Sequence, residues 1–226
     1  MREKKEKSAA CENCGGVCHK SEKYFCEGGL CKYGVALLKR RDCLKAKIPA
    51  RYIGKTFGDY EVTSDNKRAV ALARHFITEK PAKGLYLYGN TGTGKTYLAS
   101  LIAQGFIGAG TVIFGDVPDL MARLKATFDD GGTEALINRY CRCDLLVLDD
   151  IGAGQITAWN AGVLYQIINA RYNADKPIIV TCNYDLNGLQ GALSKTDAFT
   201  GKRIASRLSE MCIQAFLGTI DRRKSS

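Results

Sequence analysis

From Thr63 onward the apolar positions follow two patterns that alternate along the chain. In "SDNKRAVALARHFITEK" they recur at helical spacing, with Val70, Ala73, Phe76 and Ile77 on one face and Ser64 or Asp65 as a natural N-cap. Short apolar runs follow, each separated from the next by an amphipathic stretch. "GLYLYG" reads as a strand, "KTYLASLIAQGFI" as a helix, "TVIFG" as a strand, and Pro118 to Tyr140 as mostly helical. "DLLVLDD" is a strand, "TAWNAGVLYQIINARY" a helix, "KPIIVTCN" a strand and "MCIQAFLG" the last strand. Before that strand a helix carries Ile204, Leu208 and Met211 on one face, with Arg203 and Arg207 one turn apart on another, needing no partner within the chain. Continuous apolar strands alternating with amphipathic helices predict an α/β fold, a buried parallel sheet with helices on both faces.

The first 62 residues break this rhythm. Residues 1–47 form a cysteine-rich basic appendage ending in "LLKRRDCLKAK", which reads as a short basic helix. Residues 48–62 hold a proline, glycines and aromatics without a period, and read as an ordered connector to the regularly alternating domain over 63–226. Charge follows the same division: of the net +10, residues 1–55 carry 14 Lys/Arg against 6 Asp/Glu. Such a segment suits a polyanion or an acidic protein surface, although a solvated basic arm has the same composition. Six of the ten cysteines lie in the first 43 residues. Cys11, Cys14, Cys26 and Cys31 form two knuckles at spacing suited to a structural zinc ion, with Cys18, His19 or the more distant Cys43 as substitutes. No apolar run is long enough for a membrane span and the N-terminus is charged, so a cytoplasmic location is expected.

The chemistry concentrates at three strand ends. "GNTGTGKT", comprising Gly89, Asn90, Thr91, Gly92, Thr93, Gly94, Lys95 and Thr96, fits GxxxxGK[ST] between a strand and a helix. Its backbone amides and helix N-terminus suit phosphates, Lys95 the β/γ-phosphates and the Thr96 hydroxyl Mg²⁺, which implies ATP as ligand. "LLVLDD" brings Asp149 beside that loop to hold Mg²⁺, with Asp150 to orient or deprotonate an attacking water. Tandem acids at a buried strand end are costly unless a cation or protons relieve them. "IIVTCN" ends in Thr181 and Asn183, a neutral polar pair for the water, although an Asn there is also an ordinary turn residue.

In this order these motifs, with Arg207, resemble a P-loop AAA+ ATPase (RecA-like, ASCE), and within it the bacterial and phage helicase loaders of the DnaC/DnaI kind, with IstB-type transposition ATPases as close relatives. The resemblance covers about residues 48–224 and is carried also by "IPARY", "TFGDY", "VPDLMARLKATFDD", "LLVLDDIG", "RIASRL" and "GTIDRR". It implies an ATP-controlled switch that assembles as a ring or spiral, holds single-stranded DNA and delivers a replicative hexameric helicase; the alternative is target-DNA selection for a transposase. It also implies that Arg207 is an arginine finger acting on the neighbouring subunit, that Arg223 (or Arg222) is a sensor-like arginine after the last strand, and that no C-terminal helical lid is present. Asp150 stands where AAA+ proteins usually have Glu, so slow hydrolysis is expected. The 28 residues from Asp116 to Cys143 exceed a one-helix crossover. They resemble the helical insertion that grips DNA in such loaders, with Arg123, Lys125 and Arg139 as phosphate contacts; a solvated helix face would explain the same charges.

Overall fold

A computed structural model describes residues 25–26, 29–30, 32–127, 131–154 and 157–224. Near its start, β1 (Phe25–Cys26) pairs antiparallel with β2 (Gly29–Leu30), and α1 (Lys32–Lys45) follows. The main body runs α2 (Lys67–Glu79), β3 (Gly84–Tyr88), α3 (Lys95–Phe106), β4 (Val112–Asp116), α4 (Val117–Ala126), α5 (Gly132–Arg142) and β5 (Leu145–Ile151). It continues through α6 (Ala158–Asn173), β6 (Ile178–Cys182), α7 (Leu186–Ser194), α8 (Ala198–Met211) and β7 (Cys212–Phe216). The five long strands form one parallel sheet in the order β4-β5-β6-β3-β7.

The apolar runs lack alternation because both faces of the sheet are covered. Leu85, Leu87, Leu145, Val147 and Ile179 pack with α2, α3 and the end of α1; Tyr86, Leu146, Leu148, Ile178 and Val180 pack with α4 to α8. The first group includes Cys43, Ala46 and Ile48, so the end of α1 joins the core, and the Phe114 N–H of edge strand β4 donates to Ala46 O at 2.7 Å. Burial raises the pKa of Cys43, and its thiol is held by packing.

Two local expectations differ. The cap residue of α2 is Asn66 rather than Ser64 or Asp65, and its side chain serves the connector: Oδ1 accepts from Thr63 N at 2.8 Å and Nδ2 donates to Glu61 O at 3.0 Å. Between β6 and β7 there are two helices, because Asp185 caps a separate α7 by accepting from Gly188 N. The insertion has its expected pair of helices, with Asp116 capping α4 and Pro118 in its first turn. Leu120 and Leu124 are buried there, while Phe128 lies outside the described residues.

Sequence periodicity gave no sign of Arg171. This α6 residue is fully buried, and it donates from Nη1 to the carbonyls of Tyr140 (3.0 Å) and Cys143 (2.8 Å) and from Nη2 to Pro177 O (2.6 Å). A cation on the last carbonyls of α5 satisfies groups that a helix end leaves open and complements its dipole. It also ties the insertion to the starts of β5 and β6. Arg171→Met keeps most of the volume but leaves those carbonyls buried without donors, so an unfolding free-energy loss of about 3 kcal/mol is expected from urea denaturation. An unchanged midpoint would show that Arg171 is dispensable to the fold.

Candidate functional site

Strand β3 lies between β6 and β7, so the loop after it emerges at the carboxyl edge of the sheet among three neighbouring strand ends. Gly92 has φ +83° and an added Cβ would lie 1.8 Å from Asp221 Oδ1; Gly94 has φ +90° and faces the Tyr60 hydroxyl at 2.8 Å. Only glycine gives both this backbone and this close approach. Lys95 begins α3 and is buried, its Nζ donating to the carbonyls of Gly89 (2.8 Å) and Asn90 (2.7 Å). Burial lowers its pKa, which the charges of Asp150 and Asp149 partly offset. An ammonium held only by loop carbonyls, with no ion-pair partner among the described residues, fits a phosphate anion that brings compensating charge.

The two acids are separated by a kink. Leu146 and Leu148 face one side of the sheet and Leu145 and Val147 the other, which puts Asp149 on the α3 side. A regular strand would place Ile151 on that side too, yet it packs with Leu146 and Leu148. The phase change occurs at Asp150, which has φ 58° in an irregularity between Leu148 and Ile151. Thr181 holds the kink: its hydroxyl accepts from Asp150 N at 2.8 Å and donates to Asp149 Oδ1 at 2.6 Å. Burial raises the Asp149 carboxyl to about 6, against the lowering hydrogen bonds of Thr181 and Thr96. Asp150 is raised by burial and lowered by Lys95, and Asn183 Nδ2 donates to its Oδ1 at 3.4 Å. Lys95, Thr96, Asp149, Asp150 and Asn183 are thus brought together. Thr96 and Asp149 supply hard oxygen donors of the kind that Mg²⁺ takes.

A cleft of about 440 Å³ adjoins the loop, lined by Tyr52, Tyr60, Lys95, Tyr97, Arg222 and Arg223 among others. Tyr52 stacks on Tyr97 with centroids 4.8 Å apart, and Tyr60 meets Tyr97 edge-on at 5.2 Å. The connector is therefore one wall of the site. Its aromatics were visible in the sequence; their convergence on Tyr97, in the first turn of α3, was not. Arg222 donates to Glu61 O at 2.7 Å, and Arg223 pairs with Asp221 at 2.9 Å, so both arginines reach the cleft but neither is free of its own chain.

Arg207 lies elsewhere. α8 packs on the face of the sheet opposite α3, so this arginine is remote from its own loop. The expectation that Arg203 and Arg207 need no intrachain partner is corrected: Arg207 Nε donates to Asn169 Oδ1 at 2.6 Å, and Arg203 lies 4.1 Å over the Tyr165 ring. The insertion's three cations have different neighbours. Arg123 pairs with Asp119 at 2.7 Å, Lys125 lies over Trp159 at 5.9 Å, and Arg139 lines a separate cavity of about 670 Å³ with Lys45 and Arg142. Of the cysteines proposed for zinc, Cys11, Cys14 and Cys31 lie outside the described residues, as do Cys18 and His19, and Cys26 ends β1.

A phosphate-binding loop after β3, paired acids at the end of β5 across the intervening β6, and a five-stranded parallel sheet in this order define a P-loop nucleotide-binding protein of the AAA+ class. The chain belongs to the IstB-like ATP binding protein family, whose profile matches residues 39–215. It is 30% identical over 159 residues to the uncharacterized protein YdaV of Escherichia coli K12, spanning 68% of this chain but only 61% of YdaV. To the replicative helicase loader DnaC of Buchnera aphidicola subsp. Baizongia pistaciae it is 27% identical over 188 residues, spanning 76% of this chain and 73% of that one. The crystal structure of DnaI superposes with a TM-score of 0.65 at 26% identity, covering 74% of this chain and 93% of that one.

Gly92→Ala is expected to abolish ATP binding in a fluorescent-nucleotide titration while far-UV circular dichroism stays native, because the new Cβ meets both a left-handed backbone and the Asp221 carboxylate. Wild-type affinity in this variant would mean that the loop has another bound conformation.

Proposed function

We propose that this protein is an ATP-driven loader of a replicative ring helicase onto single-stranded DNA, and that its subunits assemble in a ring or spiral in which each completes its neighbour's ATP site. The observation that carries the assembly is the separation of Arg207 from the chain's own loop by the thickness of the sheet. The relatives named as replicative helicase loaders support the choice of cargo.

Bound ATP with Mg²⁺ supplies a phosphoanhydride whose cleavage drives the switch, with the dication offsetting phosphate charge. The loop amides and Lys95 bind the phosphates; Thr96 and Asp149 hold the ion. Asp150 accepts the water's proton at its carboxylate, Asn183 orients that water, and Tyr52 and Tyr97 offer a flat apolar surface to the base. Arg223 leaves Asp221 to meet the nucleotide, and Arg207 supplies charge in trans. Arg123, Lys125 and Arg139 track the DNA backbone, while Cys11, Cys14, Cys26 and Cys31 would hold a structural zinc ion in the basic appendage that docks on the helicase. The resemblance to IstB-type ATPases carries a second reading, target-DNA selection in transposition, and membership of the IstB-like ATP binding protein family supports keeping it. Affinity capture from the native cell separates the two: a hexameric helicase is expected to come along, and a transposase in its place overturns the loader.

Arg207→Ala should keep ATP binding and lose DNA-stimulated hydrolysis by roughly 10³-fold or more. Full turnover would end the trans role. Replacing Arg123 and Lys125 with Ala should lower the salt slope of single-strand affinity by about 1 per lost phosphate contact. An unchanged slope would remove both residues from the DNA path.

A further inference from the structure

Two facing helices build an unusual setting for Arg207. Along α6, Tyr165, Asn169 and Tyr172 follow at spacings that make one stripe, and α8 opposes it with Arg203, Arg207 and Glu210 at the same spacings. The Arg207 guanidinium lies 5.3 Å from the Tyr165 ring centre and 5.1 Å from that of Tyr172. Asn169 Oδ1 accepts from Arg207 Nε at 2.6 Å and from the Tyr165 hydroxyl at 3.4 Å. Glu210, the carboxylate one turn away, accepts instead from the Tyr172 hydroxyl at 2.6 Å. Arg203 covers the Tyr165 ring and reaches Phe199 at 5.3 Å.

A half-exposed arginine ordinarily settles on a carboxylate. Here two arginines share a tyrosine, and among the described residues neither forms an ion pair. Aromatic faces and an amide oxygen hold a guanidinium in place without cancelling its charge. Only Nε of Arg207 is used within the described chain, which leaves both Nη groups for an acceptor outside it. Such a group keeps a fixed direction and its full charge, the two properties needed to meet a phosphate bidentately.

We infer that Asn169 is the positioning residue for Arg207: its side-chain oxygen fixes Nε, with Tyr165 and Tyr172 as the bed, so that the outer face of the guanidinium is presented to the terminal phosphate bound by a second copy of this chain. This rests on the trans role proposed for Arg207. The neutrality of Asn169 is part of the device. An aspartate there would hold the arginine equally well and offset the charge that makes it useful.

The test compares full-length Asn169→Ala, Asn169→Asp and Arg207→Ala proteins in steady-state ATP hydrolysis with single-stranded DNA, alongside thermal melting. Asn169→Ala should lower kcat by roughly 10- to 100-fold, the weight of one hydrogen bond to a charged group, with KM for ATP unchanged. Asn169→Asp should melt at or above the wild-type temperature and still lose kcat, which a merely structural role does not predict. Either variant, mixed with Lys95→Ala subunits that carry an intact Asn169 and Arg207, should regain turnover; mixing the two defective arginine faces, Asn169→Ala with Arg207→Ala, should not. Wild-type kcat in Asn169→Ala with an inactive Arg207→Ala overturns the positioning role and leaves the finger standing. Wild-type kcat in Arg207→Ala overturns both. If Asn169→Ala does not fold, Asn169→Asp decides: full turnover in it reduces Asn169 to a structural contact.

Discussion

Two adjacent carboxylates at the end of a buried strand repel each other and resist leaving water, and the carboxyl edge of this sheet is organised around that conflict. A regular strand would have sent Asp149 and Asp150 to opposite faces. The left-handed turn at Asp150 keeps both at the edge, and the Thr181 hydroxyl, bonded to one residue's backbone and the other's carboxylate, makes the neighbouring strand the support for that turn. Lys95, itself buried and held by loop carbonyls, is the nearest compensating charge. Strand β6 therefore serves as more than a spacer between β5 and β3: without Thr181 the kink loses its acceptor and Asp149 one of its donors.

Arg207, the arginine proposed to act in trans, is kept away from this edge. An arginine close to two carboxylates would pair with them permanently and neutralise the site before any nucleotide arrived. Placing Arg207 on the opposite face, over tyrosines and an amide, leaves it without an ion-pair partner among the described residues, as the proposed action on another copy's phosphate requires. Arg171 represents the contrary use of the same side chain. Buried among carbonyls at the end of α5, it contributes to the position of the insertion and is closed to outside partners.

How much of this was readable from the sequence follows from the range of each interaction. The parallel sheet was legible, because apolar strands and amphipathic helices are set by local periodicity, and so were the loop from Gly89 to Thr96 and the acids at 149 and 150, because contiguous residues carry them. The α7 helix was missed because "DLNGLQGALS" carries two glycines and depends on its Asp185 cap. Interactions between distant positions left no local trace: Tyr52 on Tyr97, Arg171 on Tyr140, Asn169 on Arg207. The i, i+4, i+7 spacing of Tyr165, Asn169 and Tyr172 was there to be seen. Only the facing helix gives it meaning.

Connector, loop and tail are bonded to one another at the same place, so whatever fills the loop acts on all three. Asn90 N donates to Gly218 O and Arg222 N to Gly92 O, while Arg222 reaches back to Glu61 O and Thr63 Oγ1 on the connector. Asp221 lies against Gly92 and holds Arg223. A polyphosphate entering this loop adds negative charge beside the Asp221 carboxylate and offers Arg223 a stronger partner, so the tail has reason to shift when the loop fills. Because the Arg222 side chain ties the same tail to the connector, and the connector continues back to α1, the loop and α1 are joined by a bonded path along which such a shift would travel.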